Sequence, residues 1–109
     1  MAFPLEITFR HMDPSETIEA LIREKVAKLE TFPDHILSCR VVVEPKGKHR
    51  QDGNLYDVRI DLTVPGEEIV ISRQADEHTE YRDLNVALRD AFDSARRQLT
   101  DHVRRRQHQ

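Results

Sequence analysis

The sequence predicts an α+β fold with the element order β-α-β-β-β-α, in which a four-stranded sheet packs both helices on one face. Three observations predict it. Four segments have the period-2 alternation or β-branched content of strands, two segments repeat apolar residues at helical spacing, and a Pro-Gly pair separates the last two strands. A chain of 109 residues can bury one core but not two. We therefore expect a single domain over residues 1–109, with residues 96–109 as a basic helix end that is prone to fray.

The first strand and the first helix come from the N-terminal third of the chain. In LEITFR (residues 5–10), apolar and polar residues alternate, as expected of a half-buried strand. The next helix should begin with Asp13 as its N-cap and Pro14 in its first turn. Its apolar stripe consists of Ile18, Leu21, Ile22, Val26 and Leu29.

Three strands are expected in the middle of the chain. ILSCRVVVE (residues 36–44) is rich in β-branched residues, and the turn-prone KGKHRQDGN separates it from LYDVRIDLTV (residues 55–64), the clearest alternating strand. Pro65 and Gly66 then suit the two central positions of a tight turn. EIVISR (residues 68–73) should therefore fold back as an antiparallel partner of the preceding strand.

The last helix is predicted over residues 83–106, with Asp83 as a plausible N-cap. Its apolar stripe has spacings of three and four and consists of Leu84, Leu88, Ala91, Phe92, Ala95, Leu99 and Val103. Outside this stripe, the last fourteen residues hold five arginines and one acid, a net charge of +4, whereas the remainder carries −7 within the overall −3. A local patch governs contact with a polyanion, since salt screens charges beyond about 8 Å.

Composition and motifs restrict the class of protein. No apolar run approaches the ~20 residues of a membrane span and the N-terminus has no secretory signal, so we expect a cytoplasmic protein without membrane contact. The single cysteine, Cys39, is expected to be a small buried hydrophobe. We find no glycine-rich phosphate loop, no metal-ligand spacing among the six histidines and no nucleophile elbow. The sequence therefore predicts no enzyme activity, no catalytic residues, no metal and no cofactor.

The basic residues are the best functional lead. Lys25 and Lys28 lie three apart on the polar side of the first helix, and Arg96, Arg97, Arg104 and Arg105 lie along the last one. If both helices cover the same sheet face, their outer surfaces adjoin and can neutralise RNA phosphates. Lys46, Lys48, His49 and Arg50 offer a third contact. The alternative is a solvated charged surface, because cations late in a helix are favoured by the helix dipole alone.

Three separated segments resemble the ribosome hibernation-promoting factor family, also called ribosome-associated inhibitors or sigma-54 modulation proteins, in its short form. ITFRH (residues 7–11) is similar to the family's ITGRH, with Phe9 in place of glycine. EKVAKLETFPDHI (residues 24–36) resembles the end of its first helix, and RRQLTDH (residues 96–102) resembles its second-helix motif.

This resemblance implies a fold like that of double-stranded-RNA-binding domains, and a factor that occupies the mRNA and tRNA channel of the small ribosomal subunit and stops translation under stress. It places Lys25 and Lys28 at the family's helix-one lysines and Arg97 at the arginine before its QL pair, and we expect these three residues to contact ribosomal RNA. Asp101 and Val103 depart from it, since short members usually carry lysine there, and Asn85 replaces a common tyrosine. We expect neither DNA binding nor a C-terminal dimerisation domain. The alternative function is a protein-interaction module that uses the acidic body and binds no RNA.

Overall fold

The computed structural model describes residues 3–29, 36–49, 53–73 and 84–107. These residues form the predicted order β-α-β-β-β-α. The strands are β1 (Leu5–Phe9), β2 (Ser38–His49), β3 (Gly53–Val64) and β4 (Glu67–Arg73), and the helices are α1 (Glu16–Leu29) and α2 (Leu84–Gln107). The fold class expected from the sequence is confirmed.

The four strands form one mixed sheet in the order β1-β2-β3-β4. β1 is parallel to β2, and the other two pairs are antiparallel. A parallel pair needs a crossover, which α1 supplies. The register aligns Ile7, Val41, Ile60 and Ile71 across all four strands. Because side chains alternate along each strand, this alignment gathers the apolar residues on one face.

Both helices cover that apolar face. Their buried residues belong to the same cluster as those of the strands, and include Ile22, Val26 and Leu29 from α1 and Leu88, Ala91, Ala95 and Leu99 from α2. The opposite face is polar. There Arg40 Nε lies 3.4 Å from Glu6 Oε2, and Arg59 Nε lies 3.0 Å from Asp61 Oδ1. The sheet is thus apolar towards the helices and charged on the other side, as the alternation predicted.

The predicted turn between β3 and β4 is confirmed. Val64 pairs with Glu67 across it. Gly66 has a φ of 85°, a left-handed conformation that L side chains rarely adopt. The guanidinium of Arg106 also lies 3.4 Å from where a Cβ on Gly66 would stand. Glycine is therefore required by the backbone, and the turn is contacted by the end of α2.

The N-cap of α1 differs from the prediction. The helix begins at Glu16, and the Ile18 N–H donates to Ser15 Oγ at 3.2 Å. Ser15 is therefore the cap, and Pro14 precedes it instead of opening the helix. Asp and Ser are both good N-caps, so residue type cannot choose between them. The path of the chain decides, and it leaves β1 through His11, whose φ is 59°.

The central hairpin is longer than predicted. β2 reaches His49 and β3 begins at Gly53, so most of the segment expected to be a turn lies within the two strands, and residues 48 and 49 pair with residues 54 and 53. The register shifts between Pro45 and Lys48. Proline lacks the N–H that a regular ladder needs, so an irregularity is expected beside it. Backbone pairing continues past it without the apolar alternation from which strands were predicted.

The predictions for buried side chains are confirmed, whereas one predicted helix cap is not placed. Cys39 is 2% exposed, as expected, and burial raises the pKa of its thiol to about 12 with a smaller contribution from Asp61. The thiol is thus protonated at neutral pH. Every residue of the predicted stripe of α2 is buried. The proposed cap Asp83 lies outside the described residues.

Candidate nucleic-acid interface

Three of the predicted RNA-contacting residues share one open groove on the outer surface of α2. Arg96, Arg97 and Arg104 are all exposed. The groove is lined by these arginines together with Asp93, Thr100 and Asp101. Residues 97 and 104 are seven apart, about two helical turns, so they lie above one another on the same line. We call Arg96, Arg97 and Arg104 the groove arginines.

The groove arginines form no ion pair within the described part of the chain. Arg97 Nη2 donates to Ser94 Oγ at 3.3 Å. Thr100 Oγ1 donates to the backbone carbonyl oxygen of Arg96 at 2.9 Å. This hydrogen bond does not involve the Arg96 guanidinium. Asp93 and Asp101 also line the groove and lower its positive potential, but neither carboxylate forms an ion pair with a groove arginine in the described structure. The cations therefore face solvent and are accessible to an anion.

Ser94 links the groove to the sheet. It is 6% exposed, and its hydroxyl oxygen accepts hydrogen bonds from Arg97 and from Arg73 Nη2 at the end of β4. Its role is thus to hold two guanidinium groups, and the contacts of the hydroxyl include no base that would make it a nucleophile. Sequence reasoning missed Arg73, because strand periodicity gives no sign that its side chain reaches α2.

Arg105 points elsewhere. Its Nη2 lies 3.0 Å from Glu67 Oε1, at the start of β4. Arg106 Nη1 donates to the Pro65 carbonyl oxygen at 3.2 Å. His102 Nδ1 lies 2.5 Å from the same Glu67 oxygen. These contacts join the last turns of α2 to the β3–β4 turn, and we call His102, Arg105, Arg106, Pro65 and Glu67 the helix-end contact.

The helix-end contact has a buried centre. The His102 side chain is 4% exposed, and its Nε2 is buried without a hydrogen-bond partner in the described structure. The hydrogen bond from His102 lowers the pKa of Glu67 below its ordinary value of 4.5, and Arg105 lowers it further. At neutral pH Glu67 is therefore a carboxylate that accepts from both side chains.

Sequence reasoning also missed His102, although a signal was present. His102 lies three residues after Leu99 and directly before Val103, on the buried side of the helix. A polar residue on an apolar stripe predicts a buried hydrogen bond. Glu67 as its partner is not evident from spacing, because 35 residues separate them.

The structure divides the predicted cations between two flanks of α2. Gln98, Asp101 and Arg105 line a second groove together with β4. Arg96 is nine residues before Arg105, about half a turn away around the helix. Arg96 therefore lies on the opposite side of α2 from Arg105, and the two residues line different grooves.

The two predicted lysines lie on α1. Lys28 is exposed in its last turn, and Lys25 is partly exposed one turn earlier. Arg23, on another side of the helix, is engaged with Glu19 at 2.9 Å. The side chains of residues 46–49, and residue 50, fall outside what the structure describes, so the third predicted contact is not placed. Within the described residues, no three His, Cys, Asp or Glu side chains form a group suited to a metal ion.

Comparison with known proteins identifies the family. The model of the sigma 54 modulation protein / S30EA ribosomal protein family matches residues 5–107. The chain belongs to this family. Its members are ribosome-associated, so this chain is a ribosome-associated modulation protein of the hibernation class. The resemblance recognised in three short segments thus extends over nearly the whole chain. No curated protein matches it.

Solved structures share the fold. A ribosomal subunit interface protein from Coxiella burnetii is 14% identical, with a TM-score of 0.70 over 91% of this chain and 96% of that one. The N-terminal domain of Thermus thermophilus Protein Y is 21% identical, with a TM-score of 0.68 over 89% of this chain and 94% of that one. Among the described residues, no helix is long and apolar enough to cross a membrane.

Proposed function

We propose that this protein binds the small ribosomal subunit in the channel for mRNA and tRNA and inhibits translation during stress or stationary phase. The observation that carries the proposal is the groove of α2, where Arg96, Arg97 and Arg104 are exposed together without ion pairs in the described residues. Membership of a ribosome-associated family supports it. The place of action would be the cytoplasm, where ribosomes translate.

The mode of action follows from the chemistry of the surface. Guanidinium and ammonium groups neutralise phosphates and release counterions, which gives affinity with little sequence preference. We propose that Lys25 and Lys28 of α1 extend the groove arginines into one RNA-facing surface. The protein would then inhibit by occupying space that tRNA needs, without catalysing a reaction. Arg105 contributes less, because Glu67 already holds its guanidinium.

Co-sedimentation with purified small subunits at low and raised salt tests the proposal. We expect the protein to pellet with the subunits at low salt and to be released as salt rises. The double variant Lys25→Glu/Arg97→Glu should lose association while its thermal midpoint stays nearly unchanged, because both side chains are at the surface.

The matched control is Arg40→Glu/Arg59→Glu, which makes the same change in net charge on the sheet face away from the helices. It should keep ribosome association. Equal loss in both double variants would show a general charge effect and contradict the assignment of the surface. A wild-type protein that never pellets with small subunits would leave the acidic-surface alternative in its place.

A further inference from the structure

The outer edge of β4 is open. β4 is the last strand in the sheet order, and no other described strand pairs with its outer side. A groove follows this edge and is lined by Glu67, Glu68, Ile69 and Val70 of the strand and by Gln98, Asp101 and Arg105 of α2. An open edge presents unpaired backbone N–H and C=O groups, to which another strand can bind. The groove shows that this part of the edge is accessible.

The sequence of β4 is complementary to itself in the antiparallel direction. If two copies of EEIVISR pair with Val70 opposite Val70, then Glu67 stands opposite Arg73 and Glu68 stands opposite Ser72. On each side of the central valines, Ile69 of one copy stands opposite Ile71 of the other. Opposite charges facing across strands stabilise a pair, and like charges destabilise it. This register brings no like charges together.

The faces of the strand agree with this register. Ile69 and Ile71 are buried towards the helices, whereas Val70 is 43% exposed on the other face. A two-fold axis at Val70 therefore places two exposed valines side by side and covers both. Val70 is one of two large exposed hydrophobic residues in the described structure.

The charge of the groove favours the same partner. The groove contains one guanidinium, that of Arg105, and three carboxylates, those of Asp101 and of Glu67 and Glu68 at the end where β4 begins. An incoming antiparallel β4 would bring Arg73 to that end. The strand contains no lysine or proline, the residues that commonly protect an edge from pairing.

We propose that β4 pairs with β4 of a second copy of this chain, antiparallel about a two-fold axis at Val70, to form a continuous eight-stranded sheet. This association uses backbone hydrogen bonds and is independent of the proposed ribosome binding. The symmetry places the helices of both copies on the same side of the sheet. The groove arginines remain outside the contact, and Arg105 lies beside it.

Sedimentation velocity over a concentration series, with an untagged protein, tests the pairing. The wild type should shift from monomer to dimer as concentration rises. Ser72 is exposed and would face Glu68 of the second copy, so Ser72→Lys should strengthen the dimer and Ser72→Glu should weaken it, each by roughly fivefold in the dissociation constant. Two such contacts occur in each dimer, and the fivefold change includes both.

The same two variants act in the opposite direction within one copy. Ser72 is paired with Arg59 on β3, so a glutamate there is favoured and a lysine disfavoured in the monomer. A stronger dimer for Ser72→Lys therefore cannot arise from a more stable fold. Val70→Lys, at an exposed position, should abolish the dimer with circular dichroism unchanged, because it places two ammonium groups at the axis.

Hydrogen exchange gives a second readout. Amide protons on the outer side of β4 should be more protected at high than at low protein concentration, whereas those of β1, the other edge, should not change. A wild type that stays monomeric at every concentration would overturn the proposal. So would a dimer that Val70→Lys leaves intact, or one that Ser72→Lys and Ser72→Glu affect equally.

Discussion

The groove arginines and the helix-end contact lie on the same helix but engage different groups. Arg96, Arg97 and Arg104 face solvent, whereas Arg105 and Arg106 hold Glu67 and the Pro65 carbonyl. Neighbouring arginines thus have the same side chain, but they differ in whether a carboxylate or carbonyl group of the protein already holds the guanidinium. The difference arises because successive residues of a helix are about 100° apart, so Arg104 and Arg105 point to different surroundings. Counting cations along the helix therefore overestimates the positive charge that is available to an anion.

The largest effect should come from a change that removes the support of both regions. Leu99 is fully buried on the side of α2 that faces the sheet. Leu99→Ala should lower the free energy of unfolding by about 2–5 kcal/mol, because the truncation leaves a cavity in the core. Urea denaturation measures this. The neighbouring Gln98→Ala is the control, since Gln98 is exposed and its loss should change stability by no more than about 0.5 kcal/mol.

A change in the helix-end contact should have a smaller effect and separate it from the groove. His102→Ala removes a partly buried hydrogen bond to Glu67 and should lower the free energy of unfolding by about 1–3 kcal/mol. Ribosome association of the folded variant should remain, because the groove arginines are untouched. A variant as stable as the wild type would show that the helix-end contact contributes nothing to the fold.

The pH dependence of stability tests the charge on Glu67. Its folded pKa is below the ordinary 4.5, so its ionised form stabilises the fold above pH 4.5, and this contribution is lost as pH falls through the folded pKa. Glu67→Gln should therefore be less stable than the wild type at pH 7. The difference should shrink at pH values below 4.5, where the wild-type carboxyl becomes protonated.

Urea denaturation of both proteins over a pH series measures that difference. Glu68→Gln is the matched control, because Glu68 is the next residue and is exposed. It should follow the wild type at every pH. A Glu67→Gln deficit that stays constant from pH 7 to low pH would contradict an effect of ionisation.

The smallest expected effect compares single arginines in ribosome binding. Arg97→Gln should reduce the slope of log affinity against log salt by about 1, the value of one lost phosphate contact. Arg105→Gln should change the slope less, since its guanidinium is already paired with Glu67. Small-subunit binding at four or more salt concentrations gives both slopes. Equal slopes for the two variants would remove the distinction between the two regions.

Several elements of the fold were evident from the sequence because their signals are local. Period-2 alternation located the apolar face of β3, helical spacing located the buried stripe of α2, and Pro65-Gly66 located the tight turn. Two details of these elements were not evident from the sequence. Ser15 and Asp13 are both competent caps, and the pairing that extends β2 to His49 runs through backbone groups that have no sequence pattern.

The candidate site was predictable only in part. The sequence showed that α2 carries an excess of arginine and that one side of it is buried, which places Arg96, Arg97 and Arg104 at the surface. Family membership, over residues 5–107, shows a ribosome-associated protein, and we propose that this surface makes the contact. No pattern within α2 showed which cations would be engaged by the protein itself.

The amino-acid sequence by itself determined the order of the elements, the buried stripe of each helix and the basic character of the chain end. Only the tertiary structure decided that His102 and Arg105 meet Glu67, that Arg73 meets Ser94, and that the edge of β4 stays open in the described residues. The physical reason is range. Periodicity reports which side of one element avoids water, whereas these contacts join residues far apart in the chain and exist only once α2 lies on the sheet.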